Sequence, residues 1–249
     1  MDAVLEHSHE PQEISRRLHA STKHSYLADF VYGAIDGTVT TFAVVSGVAG
    51  AGLSPEIIVI LGFANLAGDG FSMAASNYLG TRTDRQLLEK ARQMEARHIA
   101  KAPDGEREEI RQIFSQKGFD GELLEEIAGV ITADKKRWID TMLTDELGLR
   151  LSTPNPVCAA IVTFVAFLVV GFVPLFSFVW QLFGALPMES AYGWSTAFTA
   201  IAFFGVGAAK SRFVEEKWYY AGLETLLVGG MAAGLAYGIG ALLRTWVGA

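Results

Sequence analysis

Two aspartates, Asp36 and Asp69, lie inside stretches that are otherwise apolar enough to cross a membrane. An ionisable group at the centre of a span costs roughly 2.5–3.5 kcal/mol on insertion scales, so such residues face a protein interior or a wet path and act there. Asn65, Ser72, Met73 and Ser76 surround Asp69 in sequence, and Gly33, Gly37 and Thr40 flank Asp36. Oxygen donors accompanied by one thioether suit a cation. Hard oxygens alone favour Mg²⁺, Ca²⁺ or Mn²⁺, whereas a thioether moves the preference toward softer ions such as Fe²⁺. The alternative is plain packing, in which small residues bring helices together and Met73 fills space.

A second set of candidate ligands lies in the polar middle of the chain. Glu95 and His98 stand three residues apart, as do Glu106 and Glu109, while Met142 and Glu146 stand one turn apart. On a helix these spacings put both members of a pair on one face, and Glu-x-x-His is the ligand step of di-iron carboxylate bundles. Arg92, Arg97, Arg107 and Arg111 interleave with these acids, which is equally the pattern of a solvated helix face. Near the N-terminus, His7, His9, His19 and His24 accompany Glu6, Glu10 and Glu13. They read either as a loose transition-metal site or, more simply, as an unstructured polar leader.

The elements that must position these residues are helices. Five segments of about 20 mostly apolar residues occur, at 29–51, 56–80, 156–182, 190–209 and 219–243. Asp36 and Asp69 interrupt the first two, and Glu224 falls near the start of the fifth. There it can pair with Lys217 or Arg212, or relay protons. A step of about 100° per residue aligns Gly62, Asn65, Asp69, Ser72, Met73, Ser76 and Gly80 on one stripe of the second span. The same arithmetic aligns Asp29, Tyr32, Gly33, Asp36, Thr40, Ala43 and Gly47 on the first. If the stripes face each other, or their copies in a dimer, they line a narrow polar passage. In the fifth span Gly230, Gly234 and Gly238 form a small-residue ladder expected to pack closely.

Basic residues set the expected orientation. Three precede the first span, thirteen lie between Thr81 and Arg150, and Lys210, Arg212 and Lys217 follow the fourth span, while 52–55 and 183–189 carry none. The positive-inside rule then puts the N-terminus and the 81–150 insert in the cytoplasm and the C-terminus outside. The insert holds fifteen acidic residues beside its thirteen basic ones. It reads as three helices, about 81–100, 105–117 and 120–147, broken at Pro103, Gly105 and Gly118. The absence of Gly and Pro between Gly80 and Lys101 lets the first of these continue the second span. Four regions follow: a polar leader at 1–25, two spans at 26–80, a helical insert at 81–150 and three spans at 151–249.

Composition narrows the function classes. The chain is 51% hydrophobic with 26 glycines in 249 residues, the profile of an all-α membrane protein. A formal charge of −7 argues against nucleic acid as a partner, because phosphate binding needs a basic face. The polar leader lacks the apolar core of a cleaved signal peptide. The single cysteine, Cys158, is expected to be a buried structural thiol. No nucleophile elbow, P-loop or dinucleotide fingerprint occurs, and no organic cofactor is expected.

Asp36-Gly37-Thr38-Val39-Thr40-Thr41-Phe42, together with Gly70-Phe71-Ser72-Met73 and Tyr78-Leu79, resembles the signatures of the vacuolar iron transporter and nodulin-21-like family. The likeness runs from about residue 24 over nearly the whole chain, and Thr40–Val45 is similar to the bacterial variant of the first motif. The resemblance implies a homodimer that exports Fe²⁺ or Mn²⁺ from the cytoplasm in exchange for protons, across a bacterial inner membrane. It also implies that Asp36 and Met73 are transport ligands and that the insert is a cytoplasmic metal-binding domain. Ungapped alignment then puts the insert's ligands at Glu95, His98, Glu106, Glu109, Met142 and Glu146. Two departures stand out. The second-span glutamate of plant members falls at Asn65 and a glycine falls at Asp69, so the acid is shifted by one turn along the same stripe; one first-helix carboxylate falls at His98. The rival expectation is a membrane-anchored ferroxidase or iron-storage protein with a di-iron site in the insert.

Overall fold

The computed structural model describes residues 10–19, 25–184, 190–211 and 216–247. Among these, all regular structure is helical. The elements are α1 (Pro11–His19), α2 (Leu27–Gly50), α3 (Pro55–Lys101), α4 (Pro103–Gln116), α5 (Gly121–Thr132), α6 (Lys135–Thr141), a π-helical turn over Met142–Glu146, α7 (Pro156–Gly171), α8 (Val173–Leu182), α9 (Ala191–Lys210) and α10 (Trp218–Val247). Of the polar leader, Pro11–His19 is helical rather than unstructured. His7, His9 and His24 lie outside the described residues.

Helix α3 settles how the insert meets the spans. Pro55 starts it at a position where a missing N–H is harmless, and no breaker intervenes until Ala102-Pro103. Its 47 residues rise about 70 Å, over twice a bilayer's hydrocarbon core of about 30 Å. The second half therefore projects beyond the apolar layer as the first arm of the insert, as the lack of Gly and Pro predicts. Helices α2, α3 and α10 are each long and apolar enough to cross a membrane, and the α7–α8 pair, bent by 50°, makes a fourth candidate. The bend replaces the single expected span 156–182. Pro174 lies in the first turn of α8, and its ring cannot continue the preceding helix. Buried Ser195 Oγ donates to the Pro174 carbonyl at 2.6 Å, and Ser177 Oγ donates to the Ala191 carbonyl at 2.8 Å. Helix α9 is long enough to cross, but Tyr192, Trp194, Ser195, Thr196 and Thr199 dilute its first half, and it falls outside that set.

Helix α2 sits at the centre of the spans, packed on α7, α10 and α3, while α7 also packs on α3 and α10 on α9. Small residues allow the approach. A Cβ on Gly37 would stand 2.5 Å from the Phe167 carbonyl oxygen, and one on Gly171 would stand 2.8 Å from that of Gly37. Phe42, Val45, Leu66, Phe167, Leu175 and Phe203 fill the core between these seams. On α10 the close approaches are at Gly222, Gly229 and Gly240, whereas Gly230, Gly234 and Gly238 face open space. The expected ladder is thus on the outer face of the helix, because the packing stripe runs along the other side. Cys158 is exposed rather than buried: Pro156, Ala159 and Thr163 take the inward face of α7.

The insert has its own core of Ile110, Ala128, Ile131, Trp138 and Met142. The expected third helix, 120–147, is broken after Thr132. Asp134 caps a new helix by accepting a 2.7 Å hydrogen bond from the Arg137 amide, a satisfied N-terminus that stops α5 from continuing into α6. Gly118, at φ +94°, ends α4 in the left-handed region that a side chain would resist. Arg111 grips both Glu125 oxygens at 2.8 and 2.9 Å, joining α4 to α5. Arg92 reaches Asp140 at 2.9 Å, joining α3 to α6, and Lys117 reaches Asp145 at 2.6 Å. The arginine pattern read as a solvated face thus serves partly as clamps between helices.

Candidate functional site

In the spans, the sequence stripes meet in part. Asp36, half-buried on α2, and Met73, half-buried on α3, line one groove of about 800 Å³ that also borders Tyr32, Val39, Lys210 and Val228. Asn65 donates its amide to Asp69 one turn along α3, and Thr41 Oγ donates to Asn65 Oδ1 at 3.5 Å across the α2–α3 seam. Asp36 and Asp69 lie within range of each other's charge. Of the two carboxylates, only Asp36 shares the groove with Met73. Asp69 and Ser72 are exposed on α3, because that helix gives its inward face to Gly62, Leu66, Gly70 and Ala74. Thr40 donates to the Asp36 backbone carbonyl at 2.8 Å, so its hydroxyl is engaged with its own helix.

A polar junction missed by the sequence reading ties three helices together near one end of the bundle. The Asn77 amide donates to Asp29 Oδ1 and to Thr163 Oγ1, each at 2.7 Å, and Thr163 donates to the Asp29 carbonyl at 3.3 Å. The available signal was the pair Asp29 and Asn77, both polar in otherwise apolar helices. Glu224 also finds an unforeseen partner. It is Lys210, at 3.3 Å, because α9 continues to that residue and presents it beside α10.

The insert gathers its acids more completely. Ligand atoms of Glu95, His98 and Glu106 lie within 4.8 Å of one another, contributed by the end of α3 and the first turns of α4. Helix α4 starts at Pro103, directly after the turn that ends α3, and this reversal folds its first turn back onto Glu95 and His98. Glu95 is 2% and Glu106 5% exposed, although among the described residues neither forms an ion pair with a lysine or arginine. His98 Nδ1 approaches Glu106 Oε1 at 3.4 Å, and Glu106 Oε2 is buried with no hydrogen-bond partner among the described residues. A buried carboxylate oxygen left bare is costly unless something else satisfies it.

Electrostatics describe the same cluster. Burial pushes the Glu106 carboxyl up to about 7, reinforced by the negative charges of Glu109, Glu95 and Glu146 and opposed by His98. Burial also raises Glu95, with His98 opposing and Glu109 reinforcing. Glu146 is raised by burial and then by Glu109 and Glu95. Five of the six residues expected in the insert therefore sense one another. Glu95, His98 and Glu106 form a donor set around an unsatisfied oxygen, with the charges of Glu109 and Glu146 acting on it, that a divalent cation would neutralise. Met142 is fully buried among Ile110, Ile131 and Trp138, four residues before Glu146.

The fold and these two clusters define a helical membrane protein with side chains of metal-binding type both in its spans and in its projecting insert. The chain belongs to the VIT family, which it matches over residues 27–241. It is 30% identical to the vacuolar iron transporter of Toxoplasma gondii over 93% of this chain and 78% of that protein. It is also 30% identical to the vacuolar iron transporter of Plasmodium berghei, over 96% and 90% of the two chains. Vacuolar iron transporter 1 of Arabidopsis thaliana is 26% identical over 95% of each.

Proposed function

We propose that this protein exports a divalent transition-metal ion, Fe²⁺ or Mn²⁺, from the cytoplasm in exchange for protons. The observation that carries this is the shared groove: Asp36 and Met73, a carboxylate and a thioether on different spans, open onto it together. A purely structural role gives no reason to keep a carboxylate there. Membership of the VIT family supports a transport role, and the relatives named as iron transporters support the ion.

In this reading Asp36 and Met73 coordinate the ion, Asn65 offers a neutral oxygen, and Asp69 alternates between ion and proton. Thr40 and Ser72 border the path. Exposure of Asp69 and Ser72 on a lipid-facing helix is explained by a homodimer in which the partner covers them. The chain has five spans, α2, the apolar half of α3, α7–α8, α9 and α10, in a bacterial inner membrane. The N-terminus and the 81–150 insert face the cytoplasm and the C-terminus lies outside. Glu95, His98, Glu106, Glu109 and Glu146 gather cytosolic metal, with Met142 adding a thioether that favours softer ions.

Proteoliposomes loaded with an Fe²⁺-sensitive dye test the transport assignment. Wild-type protein is expected to move Fe²⁺ faster under a proton gradient, and Asp36→Ala to abolish that movement; normal transport by the variant would remove Asp36 from the path. Asp69→Asn is expected to flatten the pH dependence. The clustered Glu95, His98 and Glu106 also favour a second reading, a tethered ferroxidase. Oxygen consumption by the full chain on adding Fe²⁺, without uptake, would favour it.

A further inference from the structure

Lys210 shares the groove with Asp36 and Met73, and its ammonium lies 3.3 Å from the Glu224 carboxylate. The lysine ends α9 and the glutamate lies in the second turn of α10, so the pair stands where the chain turns between those helices, at one end of the bundle. Lys210 is one-third exposed and Glu224 nearly two-thirds, so neither is committed to the packed core. A lysine beside a cation path is a repulsive element unless a partner holds its charge.

We propose that the Lys210–Glu224 pair is an electrostatic gate on the groove. The proposal rests on the divalent-cation reading of that groove. With Glu224 holding it, the ammonium is neutralised and turned toward α10. Released, the ammonium faces the groove and repels a divalent ion approaching Asp36. Glu224 thus acts through Lys210 as a positioning residue, and Lys210 sets ion access without touching the ion.

The charges predict opposite signs. Lys210→Gln leaves the Glu224 carboxylate unpaired beside the groove and is expected to lower the KM for Fe²⁺ uptake by roughly fivefold, as for a unit charge on the order of 10 Å from a divalent ion in a wet groove. Glu224→Gln frees the ammonium and is expected to raise KM by a similar factor. The double variant is expected to return to the wild-type KM, because both charges of a neutral pair are gone. Were Glu224 itself a metal ligand, the double variant would keep the high KM, and that result overturns the gate. An unchanged KM in Lys210→Gln, or both single variants moving it the same way, also overturns it. Lys210→Arg, which keeps the charge, is expected to restore KM toward the wild-type value, separating charge from packing.

Equilibrium Mn²⁺ binding to the full chain in detergent, with Glu106→Gln and Glu109→Gln removing the insert's competing site, must show the same order of affinities. This arm decides the gate without transport, so absent uptake by the wild type would sink the transport reading alone.

Discussion

Replacing Glu106 with glutamine probes the most heavily perturbed acid in the insert. Its carboxyl is raised from 4.5 to about 7 by burial and by Glu109, Glu95 and Glu146. An acid raised on folding binds more protons in the folded than in the unfolded state, so stability falls as pH rises between those two values. At roughly 1.36 kcal/mol per pH unit, the interval corresponds to about 3 kcal/mol lost once Glu106 is ionised. Glutamine keeps the shape, carries no charge and can donate its amide to Glu95. In metal-free protein Glu106→Gln is therefore expected to be the more stable form by up to about 3 kcal/mol near pH 8, with the gap closing below about pH 5. Denaturant or thermal unfolding of the full chain with chelator across that range, followed by the fluorescence of Trp138 in a single-tryptophan background, reads the difference. Excess Fe²⁺ must reverse the order, because the ion satisfies the wild-type carboxylate and stabilises only that form strongly. Two curves that stay parallel across the window, or a variant less stable at high pH without metal, would refute the assignment of a strained anionic cluster.

Two further perturbations separate packing from chemistry. Met142→Leu preserves volume in a fully buried site and is expected to cost less than about 1.5 kcal/mol, while weakening the insert's binding of Fe²⁺ more than of Mn²⁺ in competition titrations. Equal loss for both ions would return Met142 to the core alone. Gly37→Ala drives a Cβ to 2.5 Å from the Phe167 carbonyl oxygen and must part α2 from α7. The expected result is a destabilisation of about 1–3 kcal/mol or more, seen as lower thermal stability in detergent. Ala at Gly68, where a Cβ meets nothing within 4 Å among the described residues, is the matched control.

Much of the helical plan was legible because a lipid environment makes long apolar runs unmistakable. Continuity of α3 from span to insert followed from the lack of Gly and Pro between Gly80 and Lys101. Breaks set by single side chains were harder to read: Pro174 bends α7–α8, and Asp134 starts α6 by capping it. The face that each helix turns inward was less legible still. Gly230, Gly234 and Gly238 have packing spacing, yet they point outward, and Cys158 is exposed. Spacing gives a stripe but not its neighbour.

The candidate sites divide in the same way. By itself the sequence determined which residues could hold a cation: Asp36 and Met73 in the spans, and the paired acids with His98 in the insert, since residue type and helical spacing decide chemistry and shared faces. Only the tertiary structure decided which of them meet. It placed Asp36 and Met73 on one groove with Lys210, left Asp69 on the outer side of α3, and folded α4 back so that Glu106 lies buried against Glu95 and His98. The physical reason is that the carboxyls' perturbation and Lys210's place beside the groove arise from burial and from charges on other helices, which no spacing within one helix can encode.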